Sequence, residues 1–205
     1  VSGQLEAETY ALGLGNVYTF GPTFRAEKSK TSRHLSEFWM AEMEAAWFDL
    51  DDVTEFAKKE LKYCIQKVLE KHEDDLKLLE SDVSKLKQVV KKKWPTITYR
   101  AALKVLKEKE KMDLTFGKDL RTIEETNLMK HFDTPVVVTN YPKAVMAFYK
   151  PHDPKKPDEA LCFDMLAPGG LEVVGGSQRS VDIKELEESL KRDGEDPKDY
   201  KFYMD

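Results

Sequence analysis

The run Val17-Tyr18-Thr19-Phe20-Gly21-Pro22-Thr23-Phe24 is apolar and rich in β-formers, and it ends in Arg25-Ala26-Glu27. A polar loop from Lys28 to Arg33 follows, and a second apolar run starts at Phe38. This layout predicts two strands, Val17–Phe24 and Glu37–Phe48, joined as a hairpin. It gathers a guanidinium (Arg25), a carboxylate (Glu27), an imidazole (His34) and an aromatic face (Phe38) around one concave sheet surface. An arginine fork matches phosphate oxygens in pairs, and a phenylalanine ring offers a flat surface to a base. The set suits a nucleotide triphosphate better than a protein core. Glu37, Glu42 and Glu44 interleave with Phe38, Trp39, Ala41 and Ala45, so one face of the second strand is expected to carry acids. A sheet can bury one face and wet the other; those acids face either solvent or a cationic group of a ligand.

Around the hairpin the chain divides by periodicity. Leu5, Tyr10, Leu12 and Leu14 belong to a short helix that stops at Gly13–Gly15. Residues 51–133 read as mainly helical. A first helix, capped by Asp51 or Asp52, carries Val53, Phe56, Ala57, Leu61, Cys64, Ile65, Val68 and Leu69 at helical spacing. A second holds Leu76 to Val90 and ends before Trp94-Pro95, because the residue before proline avoids the helical region. A short strand Ile97–Tyr99 and helices over Ala101–Met112 and Asp119–Phe132 follow. Lys91-Lys92-Lys93 reads as a solvated helix end, where cations are favoured. Residues 134–205 return to strands over Pro135–Asn140, Ala144–Lys150, Leu161–Leu166 and Leu171–Gly176, with a turn-rich loop at Pro151–Asp158. Helices over Asp182–Arg192 and from Pro197 close the chain.

At 205 residues the chain can bury a substantial core. No apolar run approaches ~18 residues and no charged-then-apolar leader precedes one, so neither a membrane span nor a signal peptide is expected. Cys64 and Cys162 lack metal or disulfide spacing and read as reduced core residues of a cytoplasmic protein. The net charge of −5 means that any nucleic-acid contact uses a local patch rather than a basic field.

Three segments together point to a family. Phe24-Arg25-Ala26-Glu27 with Arg33-His34-Leu35-Ser36-Glu37-Phe38 resembles motif 2 of the class II aminoacyl-tRNA synthetases of the aspartate/asparagine/lysine subgroup. Ser2-Gly3-Gln4-Leu5 upstream, and Asp164 with Glu172-Val173-Val174-Gly175-Gly176-Ser177-Gln178-Arg179 downstream, resemble its asparagine branch. The resemblance runs from residue 1 to about 205. It does not include the family's anticodon-binding barrel, its motif 1 helix or its motif 3, so the expected fold is α+β: an antiparallel β-sheet flanked by helices, the central part of a class II catalytic domain, with a mainly helical insertion at about 51–133. The family forms homodimers through segments outside this resemblance, and this chain alone is not expected to dimerise.

The resemblance implies activation of an amino acid by ATP with magnesium, then transfer to tRNA(Asn). Arg25 would lie on the α-phosphate and the attacking carboxylate. Glu27, Arg33, His34 and Leu35 would hold the adenine and the ATP tail, and Phe38 would stack on the base. Asp164 and Glu172 would bind Mg2+, with Glu172 also serving ATP; taken alone, Asp164 reads as a strand-end cap. Ser2, Gln4, Glu8, Glu42 and Arg179 would contact the amino acid, Gln4 and Glu42 receiving its ammonium group. Aspartate and asparagine share a shape, so only charge and donor pattern separate them. Aspartate-using relatives carry a lysine at the position of Ala7; with Glu8 beside it, this chain should repel aspartate and accept from an asparagine amide, while Arg179 donates to the side-chain oxygen. Glu6 reads as a surface charge. Gly169, Gly170, Gly175 and Gly176 fit a backbone that approaches a ligand closely, although glycine in a strand usually marks a bulge or turn. Lys28, Lys30 and Arg33 would meet the tRNA acceptor end or ATP alone. A tRNA-independent asparagine synthetase on the same sheet, and a non-catalytic synthetase-derived module, remain open on these residues.

Overall fold

Strand β1 (Asn16–Phe24) pairs antiparallel with β2 (Glu37–Ala45), with Thr19 opposite Glu42 and Thr23 opposite Phe38. The computed structural model describes residues 2–26 and 35–205. Because successive side chains alternate across a strand, Glu42 and Glu44 share a face and Glu37 takes the other. The expected acidic face therefore has two members rather than three. That face is the half-buried one: Thr23 is 2 % and Glu44 7 % exposed. Helix α1 (Gln4–Leu14) packs on this hairpin through Ala7 and Ala11, and it ends at Gly15 in a positive-φ conformation (φ 86°). The opposite face presents Tyr18, Phe20, Phe24 and Trp39 to solvent.

The helical stretch begins two or three residues earlier than the spacing predicts. Asp49, not Asp51 or Asp52, caps α2 (Leu50–Lys71): its carboxylate accepts from the Asp52 N–H at 2.9 Å, and Asp52 accepts from the Asp49 N–H in return. On α2, Ala57 is buried, whereas Cys64 faces solvent, contrary to its expected core position. The single helix expected over Leu76–Val90 is two, α3 (Glu73–Leu78) and α4 (Val83–Lys91), divided where Glu80 adopts a positive φ of 56° and Asp82 starts a new cap. Then come β3 (Thr96–Thr98), α5 (Tyr99–Glu110), α6 (Thr122–Met129) and β4 (Val136–Thr139). No strand forms over Ala144–Lys150. The N–H groups of Val145, Met146 and Lys150 instead bond back to the carbonyls of Pro142, Lys143 and Ala147, so the apolar alternation there reports burial of Met146 and Phe148. The turn-rich loop is itself a small hairpin, β5 (His152–Asp153) with β6 (Lys156–Ala160). Strands β7 (Cys162–Ala167) and β8 (Leu171–Ser177), helix α7 (Ile183–Arg192) and the short α8 (Lys201–Met204) complete the chain.

The residues form two compact units, Val1–Phe48 with Glu195–Asp205, and Asp49–Gly194. In the second, the sheet order is β3-β4-β7-β8; β3 runs parallel to β4 and the other pairs are antiparallel. One face packs Val136, Val138, Cys162 and Leu166 against Tyr99 and Leu106 of α5 and Leu128 and Met129 of α6. The other packs Val137, Phe163 and Met165 against Ala57, Val89 and Trp94. Helices thus cover both faces of β4 and β7, while Leu171, Glu172, Val173 and Gly175 of β8 stay exposed.

Candidate active site

Asp164 and Glu172 meet because of a bulge. Asp164 lies opposite Gly175, and the ladder then shifts so that Met165 faces Val174 while Leu166 faces Glu172, leaving Val173 as the extra residue. In a regular strand, residues 172 and 175 would point to opposite faces; one inserted residue puts them on the same one. A side-chain carbon built on Gly175 would stand 2.8 Å from Glu172 Oε1 and 3.4 Å from Asp164 Oδ1, so both carboxylates converge over this glycine. The other glycines do different work. Gly169 and Gly170 make the β7–β8 turn with φ of 95° and 77°, and Gly176 leaves room for the Phe163 ring. Only Gly175 opens the acid site.

The surroundings make Asp164 reluctant to ionise. Burial, and then the negative charge of Glu172, push its carboxyl up to about 7, while the ammonium group of Lys150 acts in the other direction. The buried Tyr141 hydroxyl has no aligned hydrogen-bond partner, yet it is near enough to Asp164 for the two to interact, and burial followed by that acid raises its own pKa well above the ordinary phenol value. On the same unit, the Arg179 guanidinium lies 5.1 Å from the Tyr149 ring centre and donates to the Ser177 carbonyl at 3.2 Å and to the Ser177 hydroxyl.

In the first unit, Gln4 Nε2 donates to Glu8 Oε1 at 2.8 Å across one turn of α1. The second Glu8 oxygen accepts from the Tyr203 hydroxyl. Thr19 Oγ1 donates to Glu42 Oε2 at 2.8 Å. Ser2, Gly3, Thr19, Phe20, Gly21, Pro22, Thr23 and Glu42 line a shallow pocket of about 180 Å³. Farther along the hairpin, the Arg25 guanidinium sits 5.1 Å from the centre of the Phe38 ring, and its backbone N–H donates to the Ser36 carbonyl at 2.9 Å. Leu35 is solvent-exposed. Glu27, Arg33 and His34, with Lys28 and Lys30, lie outside the described residues.

Comparison with known proteins settles the family. The whole chain, residues 1–205, matches the family described as tRNA synthetases class II (D, K and N). The chain belongs to that family. An asparagine–tRNA ligase of Koribacter versatilis (strain Ellin345) is 44% identical over 210 residues, spanning 100% of this chain and 47% of the relative. The asparaginyl-tRNA synthetase of Pyrococcus horikoshii, solved with asparaginyl-adenylate, superposes with a TM-score of 0.94 at 40% identity, covering 99% of this chain and 46% of that one. The Entamoeba histolytica asparaginyl-tRNA synthetase with asparaginyl-adenylate follows at a TM-score of 0.86 and 27% identity, over 99% of this chain and 46% of that one. The chain therefore spans about half the length of the relatives it matches, and its α+β fold is that of their class II catalytic domain.

For a class II synthetase the acid pair suits a hard divalent cation. Both donors are carboxylate oxygens, they converge over a glycine, and Asp164 resists taking a second negative charge beside Glu172 without a cation to balance it. Among the described residues no third histidine, cysteine or acid joins them. Sequence reasoning missed the neighbours that set these groups: Tyr141 and Lys150 beside Asp164, Tyr149 and Ser177 around Arg179, and Tyr203 on Glu8. Each is remote in sequence from the group it serves or reads as ordinary strand and turn chemistry, so only the fold exposes it.

Proposed function

We propose that the chain is the central part of the catalytic domain of an asparagine–tRNA ligase, which activates asparagine with ATP to asparaginyl-adenylate and passes it to tRNA(Asn). The observation that carries this reading is the Asp164–Glu172 pair over Gly175, in a chain whose full length resembles a synthetase crystallised with asparaginyl-adenylate. Activation is an in-line attack of the amino-acid carboxylate on the α-phosphorus, with pyrophosphate leaving. Two anions must be brought together, so positioning and charge neutralisation supply most of the rate.

Arg25 is assigned to the α-phosphate and the attacking carboxylate, with its guanidinium 5.1 Å from the centre of the Phe38 ring, and Phe38 is assigned to stack on the adenine. Glu27, Arg33, His34 and Leu35 are assigned to adenine and the ATP tail. Asp164 and Glu172 would hold magnesium, which, when bound, would offset phosphate charge. Glu42 and Gln4 are assigned to the α-ammonium group, and Ser2 lines the same pocket as Glu42. A carboxylate only accepts hydrogen bonds, so Glu8 draws the NH2 end of Gln4 and leaves that amide's oxygen to face an ammonium. Glu8 itself accepts from the substrate's side-chain amide and repels aspartate, and Arg179 donates to the side-chain oxygen. The reading places the work in the cytoplasm, with ATP, asparagine and tRNA as partners and homodimerisation left to the longer protein. No described helix is long and apolar enough to cross a membrane.

Pyrophosphate exchange by the full-length protein tests the reading. Exchange driven by asparagine and not by aspartate supports it. Exchange driven by aspartate would mark a tRNA-independent asparagine synthetase, and exchange with neither would mark a non-catalytic module.

A further inference from the structure

A single carboxylate on α7 gathers three separate stretches of the second unit. Glu185 Oε1 accepts from the Lys143 ammonium group at 3.0 Å and from the His152 backbone N–H at 2.9 Å, with the His152 ring nitrogen Nδ1 at 3.1 Å. Its other oxygen accepts from the Ser180 hydroxyl at 3.3 Å. Ser180 directly follows Arg179, and its backbone N–H donates to the Tyr149 carbonyl at 3.0 Å, while the Tyr149 ring centre lies 5.1 Å from the Arg179 guanidinium. We propose that Glu185 is a positioning residue for the amino-acid site: it ties Ser180 to the 143–152 segment and so fixes where the Arg179 guanidinium stands over Tyr149. This inference rests on the assignment of Arg179 to the side-chain oxygen of the substrate made above.

The segment needs such a hold, because residues 146–151 form neither helix nor strand. Helix α7 supplies it with two residues that lie two turns apart on one face. Glu185 takes Lys143 and His152 at one end. At the other, Arg192 donates to the Met146 carbonyl at 2.7 Å and to the Lys143 carbonyl at 3.2 Å. Lys143 also donates to the carbonyl of Lys150, the residue after Tyr149. The side chains of Glu185 and Lys143 are each only 13 % exposed. Burial acts to raise the Glu185 carboxyl, but the hydrogen bonds from Lys143 and His152 outweigh it and hold the group below the ordinary carboxylate value. It is therefore ionised at neutral pH, and a charged acceptor away from water orients its donors more firmly than a neutral one. A carboxylate offers about four acceptor sites, enough for all of these donors at once, whereas an amide oxygen offers about two.

The test uses the full-length protein and pyrophosphate exchange with asparagine and ATP each titrated. Glu185→Gln keeps the size of the side chain and removes its charge and half of its acceptor sites. The KM for asparagine should rise about 5- to 10-fold, the size of one lost hydrogen bond, while the KM for ATP stays within about 2-fold. Ser180→Ala leaves Lys143 paired and should raise the asparagine KM about 2- to 5-fold, whether or not Glu185→Gln folds. In an Arg179→Lys background, either change should alter the asparagine KM by less than about 2-fold, because the guanidinium it positions is gone. An asparagine KM unchanged in either folded variant, an equal rise in both KM values, or a full additional effect on Arg179→Lys would each overturn the inference while leaving asparagine activation intact. Wild-type protein that does not exchange with asparagine would remove the proposed function and this inference with it.

Discussion

The two units bury their aromatic residues to very different extents. In the hairpin unit the half-buried face holds Thr23, Glu42 and Glu44 beneath α1, and the aromatic residues Tyr18, Phe20 and Trp39 lie 81 %, 66 % and 64 % exposed. In the sheet unit Trp94, Tyr99, Tyr141 and Phe163 are each at most 2 % exposed, and the buried acids Glu124 and Glu159 are paired with Arg121 and Arg100. A face that buries polar groups does so for their hydrogen bonds, as with Thr19 on Glu42 and Gln4 on Glu8. The sheet unit supplies packing that can hold two carboxylates together against their repulsion. The hairpin unit supplies donors and acceptors, and little core. Stability and recognition are therefore divided between the two.

The sharpest break of that comparison is a pair of Phe→Ala changes. Phe163 is 1 % exposed and its ring fills the space left by Gly176. Phe163→Ala should destabilise by about 3–5 kcal/mol, the usual range for emptying an aromatic core site. Phe20→Ala removes a ring already 66 % exposed and should cost less than about 1 kcal/mol. Chemical denaturation of both variants measures the difference; equal losses would show that the hairpin unit contributes core packing after all.

Arg25→Ala inverts the pattern. It should leave thermal stability nearly unchanged, since Arg25 contributes a stack on Phe38 at 5.1 Å rather than buried area. Asparagine-dependent exchange should fall about 10²–10³-fold, roughly 2–4 kcal/mol of transition-state stabilisation. Normal exchange by this variant would remove Arg25 from the phosphates.

The sequence makes the two units legible to different degrees. The hairpin was readable because β-formers flank a polar loop, and the Arg25 to Phe38 pattern carried a family resemblance that the match over residues 1–205 confirms. The central strands β4, β7 and β8 were readable as apolar runs. What escaped depends on long-range geometry. Asp164 and Glu172 were named together, but alternation along β8 gives no hint that Val173 is a bulge, and without it Glu172 would face away from Gly175. The α3–α4 break hides inside an unbroken helical period because Glu80 takes a left-handed conformation that composition does not announce. The Ala144–Lys150 segment mimics a strand because burial of Met146 and Phe148 imitates alternation. Tyr203 could not be linked to Glu8 by any local rule.

Gly175→Ala probes the junction between packing and chemistry. Its new methyl would start 2.8 Å from Glu172 Oε1 and only at van der Waals distance from Asp164. The contacted atom is the end of a flexible side chain, so the fold should persist and Glu172 should swing aside. Exchange is expected to fall about 10-fold, or roughly 1.4 kcal/mol, with a higher magnesium requirement and little change in melting temperature. Wild-type magnesium dependence in Gly175→Ala would detach this glycine from the metal.

A pH signature separates the sheet unit's packing from its site. Asp164 titrates at about 7 in the folded chain against an ordinary value of 3.8. Between those values the unfolded chain has given up the proton that the folded chain keeps. Raising the pH through this window therefore favours unfolding, and the destabilisation is fully present above about 7. Below the ordinary carboxyl value both states are protonated and the effect vanishes. Asp164→Asn removes the titrating group while keeping its shape. Without magnesium, the variant should melt above wild type at pH 8, with the gap closing toward pH 4, on a scale of about 2–4 °C for each kcal/mol in a chain of this size. Magnesium should stabilise wild type at pH 8 and leave Asp164→Asn unmoved. Melting curves that stay parallel across that range would mean the burial around Asp164 is not what holds its proton, and the acid pair would then be an ordinary surface feature of the sheet rather than a site built under electrostatic load.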